Sequence, residues 1–143
     1  MKEIMDFEMC KREHLKIVEP DAEKAESIKR MCRAREKLLK KAELDSETAS
    51  IIASDYYEII KELLVAILLK NGFKSDNHEC LISFFKKNYP DYEYEAKAIH
   101  QLKYVRNRAT YDGIFVKKEY VLQNKLEFAN IIQLLHKILD NDK

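Results

Sequence analysis

Residues 46–72 read SETASIIASDYYEIIKELLVAILLKNG, and this stretch decides the fold. Apolar side chains recur in it every three or four residues in two series, which is typical of an α-helix with neighbours on two sides. One series is Ile52, Tyr56, Ile59, Leu63 and Ile67, and the other is Ala53, Tyr57, Ile60, Leu64 and Leu68. Ser46 is a candidate N-cap, and Gly72 is a candidate terminator. Because the third face becomes apolar at Val65 and Leu69, we expect the C-terminal half to be buried all round, in the bundle centre or a dimer interface.

The preceding segment, from about residue 20 to residue 43, repeats the helical pattern with one buried stripe. Its apolar positions are Ala25, Ile28, Met31, Cys32, Leu38, Leu39 and Ala42. The segment is also rich in lysine and arginine, which either bind nucleic acid or form a solvated helix face, and the second interpretation is favoured. Residues 1–19 have no clean periodicity, so they form either a short helix or an arm that packs on the body or on a partner.

Three further helices are predicted downstream. A short one around residues 81–85 ends before Pro90 and packs as a lid on the longer helices. The next is capped by Asp91 and ends at Gly113, and the last begins near Lys117. The 143 residues include only 2 Gly and 2 Pro, which favours long helices. The sequence therefore predicts an all-α fold, an antiparallel bundle of about five helices, with residues 20–143 as one domain.

Composition restricts the environment and the partners. The net charge of +1 excludes a polycation that binds nucleic acid indiscriminately. The cysteines, Cys10, Cys32 and Cys80, are odd in number and widely spaced, so they predict neither a disulfide framework nor a zinc site and indicate a reducing compartment. The first residues mix charges of both signs, unlike a secretory signal. The longest apolar run, residues 63–69, is far shorter than the roughly 20 residues of a membrane span. We therefore expect a cytoplasmic protein that does not contact a membrane.

Polar groups that could carry chemistry concentrate in residues 101–116, QLKYVRNRATYDGIFV. The apolar positions before Arg106 define the buried side of this helix, and 100° per residue places Arg106 at the edge of that side. The guanidinium groups of Arg106 and Arg108 suit bidentate phosphate contacts, and Asn107 can orient a phosphate oxygen or a base. The alternative is that both arginines form ion pairs with Glu93, Asp112 or Glu119 and only tie helices together.

Three features together resemble the HEPN (higher eukaryotes and prokaryotes nucleotide-binding) family. They are the paired-tyrosine stretch Ser54-Asp55-Tyr56-Tyr57, the short third helix, and a helix that ends in Arg-Asn-Arg-x-x-Tyr-Asp-Gly at residues 106–113. The resemblance covers most of residues 20–140. It implies an up-and-down bundle that forms a homodimer. It also implies a metal-independent ribonuclease, or the toxin of a toxin–antitoxin pair whose antitoxin is a minimal nucleotidyltransferase.

The sequence departs from that family at one important position. The family motif is Arg, four to six residues, then His, and here Arg106 is followed five residues later by Tyr111. Cleavage of RNA without a metal needs a base near neutrality, which imidazole supplies, whereas a tyrosine hydroxyl ordinarily stays protonated at pH 7. The resemblance implies Arg106 and Tyr111 as the catalytic pair and Asn107, Arg108 and Asp112 as RNA or nucleotide contacts, without a metal or a cofactor.

Two histidines near the motif are assigned structural roles. His100 lies six residues before Arg106 and is interpreted as a surface or packing residue, and His78 as a capping or packing residue beside Asn77.

Three functional hypotheses remain open. The first is an RNA- or nucleotide-binding domain with residual cleavage assisted by Tyr111. The second is a non-catalytic module that pairs with a nucleotidyltransferase, which contacts or adenylylates the tyrosine-bearing loop. The third is a helical adaptor, which is preferred if Arg106 is buried against carboxylates.

Overall fold

The chain folds into a bundle of helices around one long central helix. The computed structural model describes residues 2–141. The elements in chain order are α1 (Phe7–Glu13), β1 (Leu15–Ile17), α2 (Ala22–Lys40), α3 (Ala49–Lys70), β2 (Phe73–Ser75), α4 (His78–Asn88), a 3₁₀ turn (Pro90–Tyr92), α5 (Glu93–Asp112) and α6 (Lys118–Asn141). The all-α prediction is confirmed, since the strands found in residues 2–141 are two of three residues each.

The helix α3 is the centre of the fold, and α2, α4, α5 and α6 all pack on it. Its buried side chains include both predicted apolar series except Tyr56, which is half-buried. Residues 66–69 are all buried, as predicted, whereas Val65 on the third face is only partly buried, so burial all round is confined to this last turn. Each fully buried Leu or Ile contributes about 1.5–3 kcal/mol relative to an exposed one, and α3 therefore dominates the core.

Two predicted N-caps are wrong. The helix α3 begins at Ala49, with Thr48 in the cap position and without a side-chain cap hydrogen bond. Ser46 lies in the turn before it, where the amides of Glu47 and Thr48 donate to the Asp45 carboxylate, each at 2.9 Å. These two hydrogen bonds, the one from Thr48 being the larger cause, lower the pKa of Asp45. A carboxylate is a stronger acceptor than a serine hydroxyl, so Asp45 rather than Ser46 accepts the amides of this turn. Asp91 lies inside the 3₁₀ turn, and α5 begins after it without a side-chain cap.

Both glycines end a helix in the left-handed conformation, as predicted. Gly72 follows α3 with φ +82°, and Gly113 follows α5 with φ +67°. A side chain at Gly72 would also lie 3.1 Å from the carbonyl oxygen of Val18, so this position needs glycine for close approach as well as for its backbone angle. The chain therefore turns tightly between α3 and β2.

The N-terminal segment is tied to the body by a strand and a disulfide. The strand β1 pairs antiparallel with β2, in a register that places Leu15 opposite Ser75 and Ile17 opposite Phe73. Next to it, α1 packs on α4, and Cys10 is bonded to Cys80 with their Cα atoms 5.5 Å apart. The prediction that the cysteines form no disulfide is therefore wrong, because folding brings together two residues that are 70 positions apart. The cysteine pattern no longer indicates a reducing compartment.

Within residues 2–141, no helix is both long enough and apolar enough to cross a membrane.

Candidate functional site

The site is built on the C-terminal half of α5. Leu102 is completely buried and Val105 partly buried against the core, so the next residue, Arg106, emerges at the boundary between core and solvent. Arg106 is half-buried, as the helical geometry predicted, and Asn107 is half-buried beside it. The helix α5 packs on α3 and α4 at this level, and those two helices supply the remaining side chains of the site.

The guanidinium of Arg106 is held in one place by two neighbours. Its central carbon lies 5.4 Å from the ring centroid of Tyr57, a buried residue of α3. Its Nη1 donates to the side-chain oxygen of Asn107 at 3.0 Å. Burial raises the pKa of Tyr57 well above its ordinary range, against the opposing effect of Arg106, so the ring stays neutral beneath the cation. A cation on an aromatic face is stabilised by about 0.5–2 kcal/mol.

Arg106 keeps unused hydrogen-bonding capacity. Its Nε is buried and finds no hydrogen-bond partner among residues 2–141. The salt bridges of the same residues include neither Arg106 nor Arg108, and Glu93 pairs with Lys86 and Lys97 instead. The alternative in which carboxylates neutralise the two arginines therefore finds no ion pair in the described part of the chain.

Arg106 is one of several basic side chains that act on His78. His78, at the start of α4, has its pKa lowered by partial burial and then by the nearby charges of Lys61, Lys103 and Arg106, while Glu58 opposes them. The capping role belongs to Asn77, whose side chain accepts from the amide of Glu79 at 2.8 Å. The ring of His78 remains accessible at the edge of this cationic surface.

The other predicted site residues are not gathered around Arg106. Arg108 is exposed, and its guanidinium carbon lies 5.8 Å from the ring centroid of Tyr104. Tyr111 is 73% exposed, and among residues 2–141 it forms neither a hydrogen bond nor a ring contact. Asp112 is exposed at the last position of α5. The structure therefore joins Arg106 to Asn107 and places Arg108 beside Tyr104. Tyr111 forms no hydrogen bond with the guanidinium, but it lies near enough to Tyr57 to contribute to the raised pKa of that ring.

A cavity of about 240 Å³ opens beside Asn107, between the N-terminal arm and α5. Its lining residues are Lys2, Glu79, His100, Lys103, Tyr104 and Asn107. His100 is a packing residue, as predicted, since it is 7% exposed and its Nε2 lies 2.6 Å from the carbonyl oxygen of Lys2. The N-terminal arm therefore forms one wall of the cavity.

Several residues of this site were missed from the sequence. Lys103 precedes Arg106 by three residues on the same helix, so helical spacing could have placed both on one face. Lys61, His78 and Glu79 come from α3 and α4, and their proximity depends on how those helices cross α5. Tyr57 belongs to the paired-tyrosine stretch and lies under the guanidinium. Clusters of His, Cys, Asp and Glu that could hold a metal ion do not occur in the described chain.

Comparison with known proteins adds no relative. No protein family matches the sequence, and neither the curated proteins nor the solved structures contain a significant match to it.

Proposed function

We propose that this chain is a HEPN-like domain that binds RNA or a nucleotide through a phosphate group held at Arg106. One observation carries the proposal: the Arg106 guanidinium is fixed by Tyr57 and Asn107 and lacks a carboxylate partner among the described residues. A fixed cation with free N–H donors loses little conformational freedom when a phosphate binds. Lys103 adds positive charge to the surface that it shares with His78 and Arg106, which favours a polyanion over a neutral ligand. Lys61 is already paired with Glu58 at 2.8 Å and with Glu62 at 3.3 Å.

Cleavage of RNA is a further step of this proposal. Tyr111 occupies the position of the family histidine but is exposed and forms no hydrogen bond with Arg106 within residues 2–141. A ribonuclease in this arrangement needs the bound RNA to bring its reacting phosphate between the two side chains. Binding is therefore better supported than catalysis by the Arg106 and Tyr111 pair.

The second candidate is a module that pairs with a nucleotidyltransferase antitoxin. It is favoured by the apolar side chains that surround the end of α5, where Tyr111, Ile114 and Phe115 are 73%, 45% and 64% exposed. Exposed apolar groups of this kind are typical of protein contacts. The same surface suits a second copy of the chain, which the family resemblance implies.

The test uses the wild type, Arg106→Ala and the control Arg30→Ala, each incubated with mixed cellular RNA in excess chelator. Arg30 is an exposed arginine of α2, so the control removes the same charge far from the site. We expect Arg106→Ala to weaken RNA retention about 10- to 100-fold, the size of one lost arginine contact of about 1–3 kcal/mol, and the control to change it little.

Cleavage is followed on a gel in the same samples. Cleavage by the wild type that vanishes with Arg106→Ala would make the protein a ribonuclease, and Tyr111→Phe would then test the hydroxyl. Equal RNA retention by all three proteins would rule out the phosphate site and leave the partner-binding module.

A further inference from the structure

The cavity beside Asn107 has the features of a site for one nucleobase. Its volume of about 240 Å³ lies just below the roughly 300–1,000 Å³ of pockets for drug-sized ligands, so it suits a fragment of that size. It is joined to the Arg106 site through Asn107, which lines the cavity and accepts a hydrogen bond from Arg106. A base in the cavity therefore lies next to a phosphate at Arg106.

We propose that this cavity selects guanine, as the base adjoining the phosphate that Arg106 binds. The inference rests on the proposed function, because the phosphate positions the nucleotide. It goes beyond that function by assigning a base to the ligand and a recognition role to Glu79, Asn107 and Tyr104.

The orientation of the Asn107 amide is fixed by chemistry. A guanidinium carries only donors, so the amide atom that lies 3.0 Å from Arg106 Nη1 is the oxygen. The Nδ2 group is therefore left as a donor, and it forms no hydrogen bond with residues 2–141. A donor in a base pocket selects a base with an acceptor at the corresponding edge, such as O6 of guanine.

Glu79 supplies the complementary acceptor. Its carboxylate lines the cavity and takes part in none of the salt bridges formed by the described residues. A carboxylate accepts two parallel hydrogen bonds when the ligand offers two adjacent donors, and guanine alone among the four RNA bases does so, through N1–H and the N2 amino group. Adenine and cytosine present one amino group beside a ring acceptor, and uracil presents one N–H between two carbonyls.

Tyr104 offers a surface on which the base can stack. Its ring is 42% exposed, borders the cavity, and has the Arg108 guanidinium 5.8 Å from its centroid. Stacking of a base on an aromatic side chain contributes binding without regard to base identity. Tyr104 therefore supplies affinity, and Glu79 and Asn107 supply selectivity.

The remaining wall groups agree with a nucleotide. Lys103 lines the cavity and can contact the phosphate. The negative charge of Glu79 repels the phosphate from the part of the cavity where the base binds. The buried His100 ring donates from Nε2 to the Lys2 carbonyl and so holds the N-terminal arm that forms this wall.

The test measures the anisotropy of fluorescent oligouridylates that carry one central guanosine, adenosine or cytidine, with the full-length protein in chelator. We expect the guanosine oligonucleotide to bind at least tenfold more tightly than the other two. Glu79→Gln should remove the preference for guanosine. The amide oxygen can still accept from one guanine N–H group, but the amide NH2 group is a donor and cannot accept from the other. Guanosine monophosphate should compete better than adenosine monophosphate if the natural ligand is a free nucleotide, and only oligonucleotides should compete if it is RNA.

Tyr104→Ala should weaken the binding of all three oligonucleotides about equally, and Tyr104→Phe should leave their binding unchanged. Tyr94→Ala is the matched control, since Tyr94 is an exposed tyrosine at the other end of α5. Arg106-dependent binding without base preference, or a preference that persists in Glu79→Gln, would overturn the guanine site and leave the phosphate site intact. Binding that is also indifferent to Arg106→Ala would overturn both.

Discussion

The α2–α6 seam and the α5 end use basic side chains in opposite ways. The seam is defined by Lys29, Glu36, His136 and Asp140, and each of its basic groups contacts a carboxylate. Lys29 pairs with Glu26 and Asp140, and the Nε2 atom of His136 lies 2.7 Å from Glu36. At the α5 end, defined by Lys103, Arg106 and Arg108, none of the three forms a salt bridge with residues 2–141.

The difference does not follow from a shortage of acidic residues, since the chain has 25 of them and 26 lysines and arginines. The seam joins two helices, and a charge that is buried there needs a partner. His136 is almost fully buried, with a side chain 5% exposed, and Lys29 is 13% exposed. The α5 end borders solvent, so its cations can remain without a carboxylate partner. The comparison teaches that paired charges join helices in this fold, whereas the unpaired cations lie where we propose that an anion binds.

The largest expected effect is on stability, when the seam loses a carboxylate. Glu36→Ala removes the carboxylate that contacts Nε2 of the buried His136. The other ring nitrogen of His136, Nδ1, already has no hydrogen-bond partner within residues 2–141. We expect a loss of about 1–3 kcal/mol in the free energy of unfolding, measured by urea denaturation. Glu36→Gln is the control, because its amide oxygen can still accept from the imidazole. Equal losses in both variants would mean that charge, rather than the hydrogen bond, holds the seam.

A second variant gives the α5 end the carboxylate that it lacks. Asn107→Asp keeps the shape of the side chain and places a negative oxygen on the Arg106 guanidinium, now 3.0 Å away. RNA affinity should fall about tenfold, because the phosphate must displace this carboxylate, while the free energy of unfolding rises by less than about 1 kcal/mol. Asn107→Ser is the neutral control for binding. Unchanged affinity in Asn107→Asp would show that phosphate does not bind there.

A third measurement follows the pKa of His78 by NMR. Burial and then the charges of Lys61, Lys103 and Arg106 lower this pKa, and Glu58 raises it. Removing one cation favours the protonated ring, so Arg106→Ala should raise the His78 pKa toward its ordinary value. Arg108→Ala should leave it unchanged, since Arg108 is not among these neighbours. A His78 pKa that is indifferent to Arg106→Ala would mean that the two side chains do not share one surface.

The smallest effect concerns Asp140 in the exposed part of the seam. The hydrogen bond from Lys29 is the first cause that lowers the pKa of Asp140 in the folded chain. A carboxyl with a lowered folded pKa stabilises the protein above its ordinary pKa, and that contribution is lost as pH falls through the folded value. Lys29→Met should therefore raise the Asp140 pKa and make stability less steeply pH-dependent below pH 4. An unchanged Asp140 titration would show that this ion pair is not formed in solution.

The fold was more predictable than the site, for physical reasons. Helical periodicity gave α2, α3 and the position of Arg106 at the core boundary, because each depends on spacing within one helix. The disulfide depends on a tertiary contact, and the turn held by Asp45 depends on a choice between neighbouring acceptors, neither of which periodicity reports. Glu79 and His78 reach the site only through the packing of α4 on α5, so nothing in residues 101–116 indicated them. The roles of Arg106, Asn107, Arg108, Tyr111 and Asp112 remain predictions.

The bond between Cys10 and Cys80 also determines how the molecule would respond to a mechanical load. When the two ends of the chain are pulled apart, tension passes directly from Cys10 to Cys80 and bypasses the 70-residue loop between them. That loop contains α2 and the whole of α3. The most buried helix would therefore bear no direct tension, and only a reductant would release the loop, adding about 240 Å of extensible chain.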